Sequence, residues 1–177
     1  MRSSKLLVDA NWGDSTNVVY NFCRHAPREW IPCHGKFYGA STPSINEHKR
    51  KPGERAGDHW RFPPVTGKRV VRHLIYDTNF WKSFLLNRLN TPFGSNRSLS
   101  FWKAEPSSHR LIADHINAEY QVPVSARGRE VIEWKLKPEK SDNHWLDCLV
   151  GCCVAGSLAG CRLEQRTQRK RRRIEYL

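Results

Sequence analysis

Apolar positions along this chain gather into short runs, and two of the runs stop on a carboxylate. Lys5-Leu6-Leu7-Val8-Asp9 and Val70-Val71-Arg72-His73-Leu74-Ile75-Tyr76-Asp77 read as buried strands, because a short apolar run closed by turn residues suits a sheet core. The second passes directly into Thr78 to Leu89, where apolar residues recur at helical spacing and Thr78 can cap the first turn. An acid at such a junction lies at the carboxyl edge of a sheet, the place where open α/β sheets hold ligands. A last apolar helix, capped by Asp142 or Asn143 and ending near Gly160, carries Leu149, Val150, Val154, Ala155 and Leu158, with Asp147 expected against the same core face.

The stretches between are less regular. Asn17 to Cys23 reads as strand or helix, and Trp30-Ile31-Pro32-Cys33-His34-Gly35 as a short strand whose proline argues for a sheet edge. Residues 38–69, rich in Pro, Gly, Lys and Arg, read as a long loop, either a solvated flap or a basic arm along a phosphate backbone. Ser98 to Trp102 is a brief strand, His109 to Glu119 a helix, and Tyr120 to Lys137 a hairpin turning at Arg127-Gly128. Strands alternating with helices give an α/β domain over residues 1–165, followed by an Arg-rich tail, 166–177.

Asp147 changes this from a fold to a site. An unpaired charge on the inner face of an apolar helix is expensive, and a divalent cation is one partner that would satisfy it. Asp9, Asp77 and Asp147, from two strand ends and one helix, would make an oxygen-lined site suited to Mg²⁺ or Mn²⁺, which take hard ligands and keep positions open for water and phosphate. That is the chemistry of nucleases.

Charge supports a polyanionic partner. The net charge is +13, and residues 166–177, with six Lys and Arg against one Glu, hold +5 of it, leaving +8 on the body. With a metal-phosphate site in view the partner is DNA or RNA. Lys49, Arg50, Lys51 and Arg55 in the long loop, and Arg169, Lys170, Arg171, Arg172 and Arg173 in the tail, are the candidate contacts, the tail acting as a salt-sensitive tether. Trp12, Trp60 and Trp102 could stack on bases, while Trp81, Trp134 and Trp145 are expected in the core. The six cysteines include no Cys-x-x-Cys pair and read as free thiols packed as small apolar groups. No run is long enough to cross a membrane, and Met-Arg-Ser-Ser-Lys is not a signal-peptide start, so a soluble intracellular protein is expected.

Four segments in order carry a resemblance: Val8-Asp9-Ala10-Asn11-Trp12-Gly13, Pro32 to Ser41, Tyr76 to Phe84, and Asp142-Asn143-His144-Trp145-Leu146-Asp147-Cys148. From about residue 5 to 162 the chain resembles the nuclease domain of phage large terminase subunits of the lambda type, the GpA family. The resemblance implies a ribonuclease H-like fold, a mixed central sheet flanked by helices, and cutting of concatemeric double-stranded DNA during packaging in the bacterial host cytoplasm. It implies Asp9, Asp77 and Asp147 as metal ligands, the same acids that the residue pattern selects. It also implies partners: an ATPase motor, a small terminase subunit and a portal. Such motors normally precede the nuclease, yet Met1 stands just before the first strand and Val65-Thr66-Gly67-Lys68-Arg69 lacks the glycine spacing of a phosphate loop, so a separate nuclease piece, a fragment or a cloned domain is expected.

The implied reaction is phosphodiester hydrolysis by two metals about 3.5–4 Å apart, bridged by Asp9 and held on either side by Asp77 and Asp147. Asp14 and Asp142 are secondary candidates that read first as a turn residue and a helix cap, and His34 and Lys36 could approach the scissile phosphate. Two alternatives stay open: a catalytically inactive DNA-binding or assembly remnant, and another ribonuclease H-like enzyme, a resolvase or ribonuclease.

Overall fold

The computed structural model describes residues 5–65, 71–140 and 142–161. Its main sheet is mixed. Strands β1 (Leu6–Asp9), β2 (Trp30–Lys36) and β5 (Leu74–Asp77) run parallel, and β4 (Trp60–Phe62) and β3 (Arg55–Gly57) follow antiparallel, in the order β1-β2-β5-β4-β3. Helices α1 (Thr16–His25), α2 (Thr78–Leu89), α3 (Arg110–Ile116) and α4 (His144–Leu158) flank it, and β6 (Glu119–Ala126) pairs with β7 (Arg129–Leu136) in a separate hairpin. The α/β class and the flanked mixed sheet agree with expectation.

Residue spacing explains how the layers lock. Leu146, Val150, Val154 and Leu158 recur every four residues, so they line one stripe of α4, and all four are buried. That stripe packs on Trp81 and Leu85 of α2 and on Ile31, Cys33, Trp60, Phe62, Leu74 and Tyr76 of the sheet. On the other face α1 reaches the sheet through buried Tyr20, whose hydroxyl meets His34 Nε2 at 2.9 Å.

Several expectations need correction. Asn17 to Cys23 belongs to a helix, α1, which buries Tyr20 and Cys23 and leaves Val18 and Phe22 exposed. β1, expected to be buried, is the sheet edge, with its first and last residues exposed. β2, expected at an edge, is interior. Pro32 is tolerated there because β2 pairs with β1 over Trp30–Cys33 and with β5 only from Cys33 onward, so its missing N–H precedes the second ladder. Ser98 to Trp102 forms no strand, and the helix expected over His109 to Glu119 ends at Ile116, leaving Glu119 to open β6. Trp81 and Trp134 are buried as expected, but Trp145 is 46% exposed, and Trp60, offered for stacking, is core. Only Cys23 and Cys33 are buried thiols, the Cys33 thiol being pushed up to about 12 by burial, then by Asp9 and Cys23.

Within residues 38–69 lies structure rather than an open flap: a 3-10 turn at Ile45–Glu47 and strands β3 and β4. Glu54 ties it together, accepting from the Lys51 backbone N–H at 2.8 Å and from Arg61 Nη1 at 2.9 Å, with His48 Nε2 at 3.1 Å. The Lys51 N–H, then His48 and Arg61, hold its carboxyl below the ordinary value, against the opposing effect of burial. A carboxyl lowered by folding stabilises the fold above its unfolded value and loses that contribution as the pH falls through the folded one. Glu54→Gln is therefore expected to lower the melting temperature at neutral pH, the gap to wild type closing as the pH falls below 4.5. Thermal melts across that range check it, and a pH-independent gap would contradict it.

Candidate active site

Asp9 ends β1 in a turn that the sequence dictates locally. Its Oδ1 accepts from the Asn11 backbone N–H at 3.0 Å, the short-range bond that makes Asp a turn residue. Asn11 donates from Nδ2 to Gly35 O at 2.8 Å, which turns its Oδ1 toward His34 Nδ1 at 2.9 Å. His34 Nδ1 therefore carries the proton and Nε2 accepts from the Tyr20 hydroxyl. Both ring nitrogens of His34 are thus engaged, one of them on the Asn11 turn that follows Asp9. Gly35 beside it has no room for a side chain, since an added Cβ would lie 2.7 Å from Thr78 Cγ2 and 3.0 Å from the Tyr76 hydroxyl.

Asp147 arrives from α4, which packs on β1 as well as on α2. It is not on the core face as expected. It sits beside the buried stripe with its side chain 45% exposed, and its partner is Lys82, whose Nζ lies 3.2 Å from Oδ1. Desolvation raises its carboxyl above the ordinary value, the Lys82 charge opposes this, and Glu119 and Asp9 add to the rise. The charges of Asp9 and Asp147 also raise the Tyr76 phenol, after burial and Cys33.

Asp77 is placed apart from this pair. Asp9 is level with Cys33 and Asp77 with Lys36, so two strand spacings, about 10 Å, and three residues, about 10 Å of strand, separate them. Alternation also gives Asp9 the face of Cys33 and Tyr76, and Asp77 the opposite one. The side chain is fully used: Oδ1 caps α2 by accepting from Phe80 N at 3.2 Å, and Oδ2 lies 3.4 Å from His59 Nδ1. His59 is the left-handed residue (φ 54°) of the β3–β4 turn, stacked on Phe80 with ring centroids 3.6 Å apart. Its carbonyl accepts from Asp77 N and Trp81 Nε1.

Two charged residues absent from the sequence reading complete the corner. Lys82, on α2, and Glu119, at the first position of β6, are buried and paired at 2.5 Å, and Asn143 Nδ2 donates to the same Glu119 oxygen at 2.5 Å. A lysine inside the mixed apolar and polar run Phe80 to Leu86 was their only signal. Among the secondary candidates, Asp14 is an exposed turn residue, Lys36 is exposed, and Asp142 pairs with His144 at 3.1 Å without capping α4. Lys49, Arg50, Lys51 and Arg55 are exposed near the β3 edge of the sheet, opposite β1. Arg169, Lys170, Arg171, Arg172 and Arg173 lie outside the described residues.

Hard carboxylate oxygens at Asp9 and Asp147 fit a divalent ion in donor chemistry. Among the described residues, however, no group of three His, Cys, Asp or Glu side chains is close enough to hold one, which matches the separate position of Asp77.

An α/β domain that packs a carboxylate-bearing helix against a strand ending on a second carboxylate has donor chemistry that suits a phosphodiester site. Residues 1–170 match the family model described as terminase large subunit gpA, endonuclease domain. The chain belongs to that family. Comparison with curated proteins and with solved structures gave no match. Family membership makes DNA the substrate and the phage packaging machinery the setting. No helix among the described residues is long and apolar enough to cross a membrane.

Proposed function

We propose that this domain is the metal-dependent endonuclease that cuts concatemeric double-stranded DNA for packaging, acting in the bacterial host cytoplasm with an ATPase motor, a small terminase subunit and a portal. The observation that carries this is the packing of α4, which bears Asp147, on β1, which ends on Asp9 with its side chain on the same sheet face as Cys33. Asp9 and Asp147 would hold Mg²⁺ or Mn²⁺, and Asp77 enters the set on the residue pattern and the family resemblance rather than on its position in the fold. When bound, the metals, two in the form the resemblance implies, activate water and stabilise the leaving oxygen. The residues position and orient: Asn11 and His34 fix the Asp9 turn, and Lys82 holds one oxygen of Asp147, leaving the other to a ligand. A ribonuclease H-like fold is supported by the mixed sheet of parallel strands ending on carboxylates with helices on both faces.

The test is nicking of supercoiled plasmid with Mg²⁺, Mn²⁺ or chelator, beside branched DNA and an RNA–DNA hybrid. Metal-dependent cleavage of duplex in preference to the others is expected. Preference for a branch or hybrid would move the reading to a resolvase or ribonuclease, and binding without cleavage to an inactive remnant. Division of the chain into a domain, 1–165, and a tail, 166–177, predicts a second result. Deleting the tail removes six basic residues and should weaken duplex binding and flatten log affinity against log salt by up to roughly five units, at about 0.9 per neutralised phosphate. An unchanged slope would show that the tail does not touch DNA.

A further inference from the structure

The corner where α2, β6 and α4 meet holds more charge than a salt bridge needs. Lys82 Nζ stands between two carboxylates, 2.5 Å from Glu119 Oε1 and 3.2 Å from Asp147 Oδ1, so one cation bridges two acids. Asn143 Nδ2 fixes the shared Glu119 oxygen. Glu119 is only 8% exposed, yet its second oxygen, Oε2, is buried without a hydrogen-bond partner among the described residues. Buried carboxylate oxygens are nearly always satisfied, and an orphan one marks a site with capacity for a further donor or cation. A bridging position between hard carboxylate oxygens is what a divalent cation also seeks.

We propose that the Lys82 ammonium is the permanent occupant of a cation position built by Glu119 and Asp147 and steadied by Asn143, beside the divalent-ion position of Asp9 and Asp147. The proposal rests on the nuclease reading for its meaning and deepens it. Lys82 keeps divalent ions out of the rear of the site by filling it, and since it engages Oδ1 of Asp147, that carboxylate and Asp9 would be the groups to hold a divalent ion in front of it. It also offsets one of three neighbouring acids, which would otherwise repel one another in a half-buried corner. Lys82 and Glu119 are positioning residues in this arrangement, acting on the reaction through Asp147.

The experiment counts ions. Lys82→Ala in the full chain opens the position and leaves Glu119 and Asp147 facing it, so Mn²⁺ binding followed by electron paramagnetic resonance should give one more ion per chain than wild type. Mn²⁺ should also raise the melting temperature of this variant more than that of wild type. The double variant Lys82→Ala, Glu119→Gln should lose the extra ion. Should Lys82→Ala fail to fold in chelator, recovery of its circular dichroism on adding Mn²⁺ supports the proposal. A wild-type ion count in the folded variant, or failure to fold at saturating Mn²⁺, would overturn it and show an ordinary buried ion pair. Plasmid nicking by wild type in the same buffers separates the two readings: its absence would sink the nuclease assignment while the ion count still judges Lys82.

Discussion

Asp147→Asn is expected to lose metal-dependent cleavage by orders of magnitude while the protein stays folded and still binds DNA. The amide keeps size and shape but removes the charge that a divalent cation needs. Stability should hold for a reason that the structure supplies. Folding raises the Asp147 carboxyl, chiefly by desolvation. A carboxyl raised by folding stabilises the fold at low pH and loses that contribution as the pH climbs through its folded value, so at neutral pH the ionised group is no asset. Lys82 retains Glu119 as its closer partner in the variant. Melting temperature at pH 7 should therefore be unchanged or slightly higher. A fall in melting temperature together with intact nicking per folded molecule would make Asp147 a structural acid and end its assignment as a metal ligand.

Trp81→Ala should produce the largest loss of stability, about 3–5 kcal/mol, because the side chain is 0% exposed and removal leaves a cavity that the surrounding rings cannot fill. That compares with a total of about 5–15 kcal/mol for a domain of this kind. Trp81 packs edge-to-face on Phe80 and Phe84, and its Nε1 donates to the His59 carbonyl at 3.3 Å. Trp81→Phe keeps most of the apolar contact and loses the hydrogen bond, so a smaller cost, about 1 kcal/mol, is expected. Urea unfolding of the pair measures the difference. Equal midpoints for Trp81→Ala and wild type would contradict the packing described.

What the sequence made legible depended on how local the signal was. The α2 and α4 helices, the 120–137 hairpin and the β5 carboxylate all followed from spacing within a single segment. The failures came where partners are distant. Pro32 argued for an edge strand, but its position relative to two staggered ladders is set by β1 and β5, not by its neighbours. Asp147 was inferred to face the core because the residues around it are apolar. The stripe runs through Leu146, Val150, Val154 and Leu158 instead, so Asp147 falls beside it, half-exposed, where it meets Lys82 from sixty-five positions earlier. Asp77 showed the same limit: a strand-terminal acid is visible in sequence, while the face it takes depends on parity against Asp9 across an intervening strand. Glu119 gave no signal because it lies at a helix-to-strand junction whose start sequence patterns place poorly.

The hairpin of β6 and β7 lies outside the main sheet, yet both strands are fastened into the body. Glu119 at its root holds Lys82, Trp134 N donates to Asn79 Oδ1 at 3.0 Å, and Glu133 accepts from Ala40 N at 3.3 Å. Side chains alternate between faces along a strand, so with a single residue added between Glu119 and Tyr120 the hairpin could not keep both Glu119 on Lys82 and Trp134 in the core. The two-residue turn, Arg127 and Gly128, both with positive φ, lies at the far end of the ladder from those fastenings. Length can therefore vary at the tip of this hairpin and not at its root, and relatives that differ in size here should differ by residues added beyond Ser125.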